Sequence, residues 1–333
     1  MMRALASRPP LRQRGLTLVE IMVSMVLMLL VAIATVALYN VSSSSYRTVD
    51  ANLELQDSAR FAMEVIGQAA RSAGYQDRTG PATGSEQLAD EVFGPTNPPD
   101  TWRIEGRNGA VLAGADTASS SYSNSGVVNS SDAMMIRFFG ANMPDPANPA
   151  FAKKDASLKP VPDGSMIDCS GRAVPYPSSS ADVGVSAFFV KTLNGEPELY
   201  CMSWDGAAFR ETQVVRGVET LQIVYGVDTN NDEVADKWLG ADVISDDAAV
   251  TPNWNHVVAM RVGMVLRGPA GSGQGQSANA ADNALYPLGK AFTCENTASS
   301  CTPSEAAHKF ALPDDGRLRR AFATTFLFRS GIR

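Results

Sequence analysis

The feature that most constrains this chain is a membrane-length apolar run from Ile21 to Tyr39, set almost at its start. About 20 such residues in a helix cross the hydrocarbon core of a bilayer. A basic leader with Arg3, Arg8, Arg12 and Arg14 precedes the run, followed by Gly15 and then Leu16-Thr17-Leu18-Val19-Glu20. An ordinary secretory signal carries its small-residue cleavage site after the apolar segment. Here the only plausible site, Gly15, lies before it. A cut between Gly15 and Leu16 would leave the apolar segment on the mature chain as its new N-terminus. The four arginines set orientation by the positive-inside rule, so the leader stays cytoplasmic and everything after Tyr39 is exported.

Cutting after Gly15 removes those four positive charges and no acid, taking the formal charge from -7 to -11. So acidic a product argues against nucleic-acid binding, which needs a basic face. At 333 residues, 44% hydrophobic, the chain can bury a sizeable core in one or two domains. Cys169, Cys201, Cys294 and Cys301 in an exported chain predict disulfides, with three pairings open. Cys169–Cys201 and Cys294–Cys301 are the preferred pairs. Zinc is the competing reading, but there is no C-x-x-C pair and the only histidines are His256 and His308.

From Leu16 to Ile66 there is neither Gly nor Pro, which predicts one long helix over residues 16–75, membrane-spanning over 16–39. Asn40 and Ser42–Ser45 mark the exit from the bilayer. Beyond them Leu55, Ala59, Ala62, Ile66, Ala69 and Ala73 recur at helical spacing as one apolar stripe, and Gly74 is the expected C-cap. The remainder, 76–333, reads as an exported β-rich domain with two long Gly/Pro/Ser-rich loop regions, 76–125 and 140–182. Strands are predicted at 127–139, 185–193, 198–204, 208–215, 218–227, 257–266 and 320–328, with Asn194-Gly195 and Asp205-Gly206 as hairpin turns. One helix followed by an antiparallel sheet is an α+β fold.

Gly15-Leu16-Thr17-Leu18-Val19-Glu20, with basic residues ahead and an apolar helix behind, resembles the prepilin signal of type IV pilins and type II secretion pseudopilins. Arg216-Gly217-Val218-Glu219-Thr220-Leu221-Gln222, Val224-Tyr225-Gly226-Val227-Asp228, residues 257–267 and Arg319-Arg320-Ala321-Phe322-Ala323-Thr324-Thr325-Phe326 resemble the PilW family of minor pilins. The resemblance implies a type IV pilin-like fold, cleavage between Gly15 and Leu16 by a prepilin peptidase, and methylation of the new Leu16 amine. Leu16 departs from the Phe usual there. The resemblance also implies assembly contacts through Thr17 and Glu20, with Glu20 pairing to the N-terminal amine of a neighbouring subunit. A carboxylate in lipid costs on the order of 3 kcal/mol, which makes Glu20 a functional residue by default. Implied partners are other minor pilins, the major pilin and the inner-membrane assembly platform. The implied location is the inner membrane, N-terminus cytoplasmic and C-terminal domain periplasmic, and then the pilus at the cell surface.

Asp228, Asn230, Asp232 and Asp236, with the Val234 carbonyl, place oxygen ligands at alternate positions as a Ca²⁺ loop would. Against this, Glu233 replaces the usual turn Gly, and a solvated acidic loop is the alternative. No G-x-S-x-G or H-E-x-x-H pattern is present, so no enzymatic activity and no other cofactor are expected. The readings in view are a pilus-assembly minor pilin, a type II secretion pseudopilin, and a membrane-tethered adhesin that uses the two loop regions.

Overall fold

In the computed structural model the described residues are 15, 17–76, 102–112, 122–149, 151–176, 183–205, 208–246, 250, 253–273, 283–290 and 309–328. The chain divides into two units, residues 1–50 and 51–333, and the division falls within a single helix, α1 (Leu18–Ser72). In the first unit every side chain from Leu18 to Ser42 is exposed. An apolar surface of that length is stable only in lipid or against other apolar helices.

In the second unit α1 becomes one-sided. Ala51, Leu55, Ala59, Ala62, Ile66, Ala69, Ala70 and Ala73 are buried, at three- and four-residue spacing. The helix ends where Gly74 takes φ +67°, a left-handed conformation open to Gly at little cost, and its N–H donates to the Arg137 carbonyl at 2.9 Å. Gly67 is needed for a different reason. A Cβ there would lie 2.6 Å from Phe326 Cε1, so the aromatic ring packs directly on the helix backbone.

The strands follow as β1 (Ile104–Arg107), β2 (Val111–Leu112), β3 (Tyr122–Ser123), β4 (Ala133–Phe138), β5 (Gly184–Leu193), β6 (Glu196–Trp204) and β7 (Phe209–Arg216). After them come β8 (Val218–Val227), β9 (Lys237–Leu239), β10 (Val257–Arg267), β11 (Ala284–Leu285), β12 (Phe310–Ala311) and β13 (Arg319–Leu327). They form two main antiparallel sheets, ordered β1-β4-β5-β6-β7 and β13-β10-β8-β9. The fold is therefore α+β, one long helix with antiparallel sheets. β5 turns into β6 through Asn194-Gly195 with Leu193 opposite Glu196, as the dipeptide predicts.

Alternation along the strands builds two cores. Met134, Ile136, Phe188, Val190, Leu199 and Cys201 join the α1 stripe, together with Leu221, Ile223, Met260, Val262 and Met264 of the second sheet. The residues between them, Ala133, Met135, Ala187, Phe189, Tyr200, Met202 and Trp204, form a separate cluster with Ala110 and Leu112. Each large apolar side chain buried this way stabilises the fold by about 1.5–3 kcal/mol.

The sequence-based boundaries need three corrections. The strand predicted at 127–139 begins at Ala133, because Asn129 and Ser130 take φ +46° and +54° in a turn closed by Ser131 N to Val128 O at 2.9 Å. The stretch read as loop over 76–125 supplies β1, β2 and β3, and the edge strand β1 pairs with β4 along its whole length. Within 140–182 the described residues fold back on themselves through the bridges Asn142↔Pro162, Pro144↔Ala152 and Lys154↔Pro160. Their Pro-rich segments are too short and too often without N–H donors to extend into strands.

Candidate assembly site

Thr17 caps α1. Its N–H and Oγ1 both donate to Glu20 Oε2, at 3.0 and 3.1 Å, while Glu20 N–H donates to Thr17 Oγ1 at 3.3 Å. This is a reciprocal capping box, which satisfies donors that the first turn leaves open. The T-x-x-E spacing signals it in the sequence, although the sequence reading assigned both residues to assembly alone. Glu20 also stands where the helix dipole favours negative charge. Its Oε1 has no hydrogen bond among the described residues, so one carboxylate oxygen is committed to the helix start and the other is open to an external cation. Gly15 has no heavy atom within 4 Å of where a Cβ would sit, and Leu16 lies outside the described residues.

The acidic loop after β8 brings Asp228, Asn230, Asp232, Val234 and Asp236 into one turn, wrapped around the buried Asp228. Asp228 Oδ1 accepts from the N–H groups of Asn230, Asn231 and Asp232 at 3.1, 2.7 and 3.3 Å, and Oδ2 from Glu233 at 2.9 Å. Asp232 Oδ1 accepts from Val234 N at 2.9 Å, and Asp236 Oδ2 from both Thr229 N and Oγ1 at 2.8 Å. Those bonds hold the Asp236 pKa below the usual carboxylate range. Asn230 Nδ2 donates to Asp232 Oδ2 and Asp236 Oδ1, at 3.1 and 3.4 Å. The carboxylates read as Ca²⁺ ligands thus also organise the turn, and among the described residues no three His, Cys, Asp or Glu side chains converge as a metal-binding group.

Cys169 and Cys201 form a disulfide with Cα atoms 6.0 Å apart, joining the segment before β5 to β6. Cys294 and Cys301 lie outside the described residues.

Sequence reasoning missed a chain of arginines and carboxylates that ties the two sheets. Arg319, at the start of β13, is 1% exposed and grips two acids at once. Its Nε and Nη2 donate to Glu219 at 2.8 and 2.9 Å, and its Nη1 and Nη2 donate to Asp315 at 2.6 Å each. Arg267, closing β10, donates to Glu196 at 3.2 and 2.7 Å and to Glu219 at 3.3 Å. Glu196 opens β6 in the first sheet, whereas Glu219, Arg267 and Arg319 belong to the second. The forked Arg267–Glu196 pair therefore bridges the sheets, and Glu219 links it to the forked Arg319–Glu219 pair inside the second sheet. The Arg319 hydrogen bonds pull the Asp315 carboxyl down to about 2, and those of Arg267 lower Glu196. Gly217 lets this junction close: at φ +75° its N–H reaches Pro197 O and its carbonyl accepts from Arg267 N, each at 2.8 Å, and a Cβ would lie 2.7 Å from the Arg267 carbonyl. Partners 100 residues apart, such as Glu219 and Arg319, leave no local signal.

Known proteins carry the same two regions. The family described as type IV pilus-assembly protein W matches residues 187–330, which hold all five residues of the arginine–carboxylate chain. The prokaryotic N-terminal methylation motif matches residues 10–36, which hold Gly15, Leu16, Thr17 and Glu20. No curated protein matches the sequence. The solved structure of a type IV-like pilin, TTHA1219 from Thermus thermophilus, is similar over 82% of this chain and 96% of its own, at 14% identity and a TM-score of 0.33. By its N-terminal methylation motif and its PilW match, the chain is a type IV pilus-related pilin.

Proposed function

We propose that the chain is a structural minor pilin that helps to prime type IV pilus assembly. A prepilin peptidase cuts between Gly15 and Leu16, the Leu16 amine is methylated, and the first half of α1 holds the subunit in the inner membrane with its β domain outside. Assembly then draws α1 into a bundle with other minor pilins and the major pilin, on the inner-membrane platform. The observation that carries this reading is the half-committed Glu20: Oε2 is held by Thr17, and Oε1 carries no hydrogen bond among the described residues. An apolar bundle has no water to solvate that oxygen. A neighbour's N-terminal ammonium there would neutralise both charges, and helix-on-helix packing of the exposed apolar surface would supply the rest of the binding.

The test is two substitutions in the native host. Gly15→Ala is expected to leave the full-length precursor in the membrane. Glu20→Ala is expected to be cleaved normally yet absent from pili, with piliation reduced. Wild-type piliation with both variants would refute the proposal.

A further inference from the structure

Among the described residues the second sheet ends in an edge strand that, from Ala321 onward, carries none of the usual protection against pairing. β13 pairs with β10 without a bulge, from Arg319 opposite Arg267 to Leu327 opposite Ala259. Phe328 N donates to Val258 O at 2.9 Å, which fixes the alternation. Residues 320, 322, 324 and 326 turn their peptide groups toward β10. Ala321, Ala323, Thr325 and Leu327 turn theirs outward. Among the described residues no strand lies on that outer side. From Ala321 to Phe328 there is no charge, no Pro and no Gly, and Leu327 is 74% exposed. The outer edge of the first sheet is guarded quite differently, with Arg210, Glu211 and Arg216 exposed along β7. Soluble proteins normally blunt a long flat edge with charges, Pro or bulges, because a bare row of N–H and C=O groups is a template for another strand.

The direction of β13 is also set. Arg320 Nε donates to Asn52 Oδ1 at 2.8 Å, and six residues on Phe326 packs against Gly67. Asn52 to Gly67 rises roughly 22 Å along the helix, and Arg320 to Phe326 roughly 20 Å along the strand. β13 therefore runs alongside the second half of α1, in the same direction.

We propose that the outer edge of β13 is an interaction surface that takes up an extended strand from the globular domain of a different pilin-type subunit. The inference rests on the assembly reading above. Related subunits packed side by side with the second halves of their α1 helices aligned bring domain edges along one another, so an incoming strand meets β13 lengthwise. Main-chain hydrogen bonds from the four outward residues give the affinity, and Leu327 offers an apolar contact beside them. A second copy of this chain is disfavoured as occupant because it brings the same excess of negative charge.

The experiment uses the full chain in its native membrane, with a photo-crosslinking amino acid at Thr325. Crosslinked peptides are expected from the domain of a different protein that bears an N-terminal methylation motif. Ala323→Pro removes an outward N–H and spares the β10 ladder, so it should fold yet cut the crosslink about tenfold. Leu327→Lys, which adds an edge charge without touching the backbone, should act in the same direction. The tryptophan-fluorescence unfolding midpoint of each variant in detergent checks that the domain is intact. Crosslinks confined to a second copy or to proteins without the motif would overturn the proposal, as would an unchanged yield in both folded variants. A failure of the assembly reading would appear elsewhere, as normal pili from Gly15→Ala and Glu20→Ala, and so is distinguishable.

Discussion

Replacing Arg319 by Met removes the cation that two carboxylates share. Glu219 is 4% exposed in its side chain, so among the described residues it would be left as a buried acid held by Arg267 Nη1 alone, at 3.3 Å. Breaking a buried pair by deleting one partner costs about 3–5 kcal/mol, and the surviving Arg267 contact places this case near 3 kcal/mol. Asp315, about one-third exposed, can rehydrate and adds little to that loss. Denaturant unfolding of the full chain in detergent can be followed by tryptophan fluorescence. Trp102, Trp204, Trp238 and Trp254 all lie after residue 51, so the signal reports the β domain and not the membrane helix. Glu219→Gln should destabilise too, and the double variant Arg319→Met/Glu219→Gln should lose less than the two single losses combined. The pH dependence has a definite sign. Asp315 is depressed to about 2 against an ordinary 3.8, so its pairing stabilises above about pH 4 and is lost as pH falls through 2. That acid-limb loss should be missing from Arg319→Met. A loss below about 1 kcal/mol for Arg319→Met, or additive behaviour in the double variant, would refute the claim that the buried Arg319–Glu219 pair holds this end of the second sheet together.

Three further outcomes follow from buried or constrained groups. Asp132 is buried at the junction of β4 with β8, accepting from Gly109 N at 3.0 Å and Ile223 N at 2.8 Å, and burial raises its pKa to about 7. The native state therefore holds an extra proton between about pH 4 and 7, stability declines as pH rises through that window by at most about 4 kcal/mol, and Asp132→Asn should flatten this part of the profile in unfolding titrations. A wild-type and Asn profile of equal slope there would contradict it. Asp228→Ala strips the acceptor from four loop N–H groups and should lower domain stability by about 2–4 kcal/mol. The wild-type melting temperature should stay unchanged in EDTA, because those amides already hold the turn, whereas a fall in EDTA that Ca²⁺ restores would show the loop to be a metal site. Opening the Cys169–Cys201 bridge by Cys→Ser at both positions should cost about 3–4 kcal/mol on the chain-entropy account of a 32-residue separation; an unaltered midpoint would contradict it.

The architecture was legible wherever local pattern and burial agree. α1 shows in its Gly- and Pro-free run and its alanine-rich stripe, β10 in the alternation of Val258, Met260, Val262, Met264 and Leu266, and the β5–β6 turn in Asn194-Gly195. The Cys169–Cys201 bridge is the preferred one of the pairings that four cysteines leave open, although their spacing alone does not select it. β1 was not legible, because Ile104-Glu105-Gly106-Arg107 reads as polar. Its strand state depends on Arg137 reaching from β4 to bond Glu105 at 3.0 Å and the Trp102 carbonyl at 2.8 Å. Tertiary context of this kind overrides strand propensity. The arginine–carboxylate chain was hidden for a related reason: Glu219, Arg267 and Arg319 stood in separate sequence blocks, Glu196 and Asp315 in none, and only the antiparallel register of β8, β10 and β13 brings Glu219, Arg267 and Arg319 to one end of the sheet. At the N-terminus the residues were visible and only half of their work was: Thr17 and Glu20 stood out, but their reciprocal cap did not.

The central claim is that the apolar helix survives processing as the start of the mature subunit. Intact mass and N-terminal peptide sequencing of the protein recovered from the native host test it most directly. The account predicts a chain that begins at Leu16 with a methylated α-amine and retains Thr17, Glu20 and the whole apolar run. A mature chain beginning after Tyr39, or one that keeps the arginine leader, would contradict it.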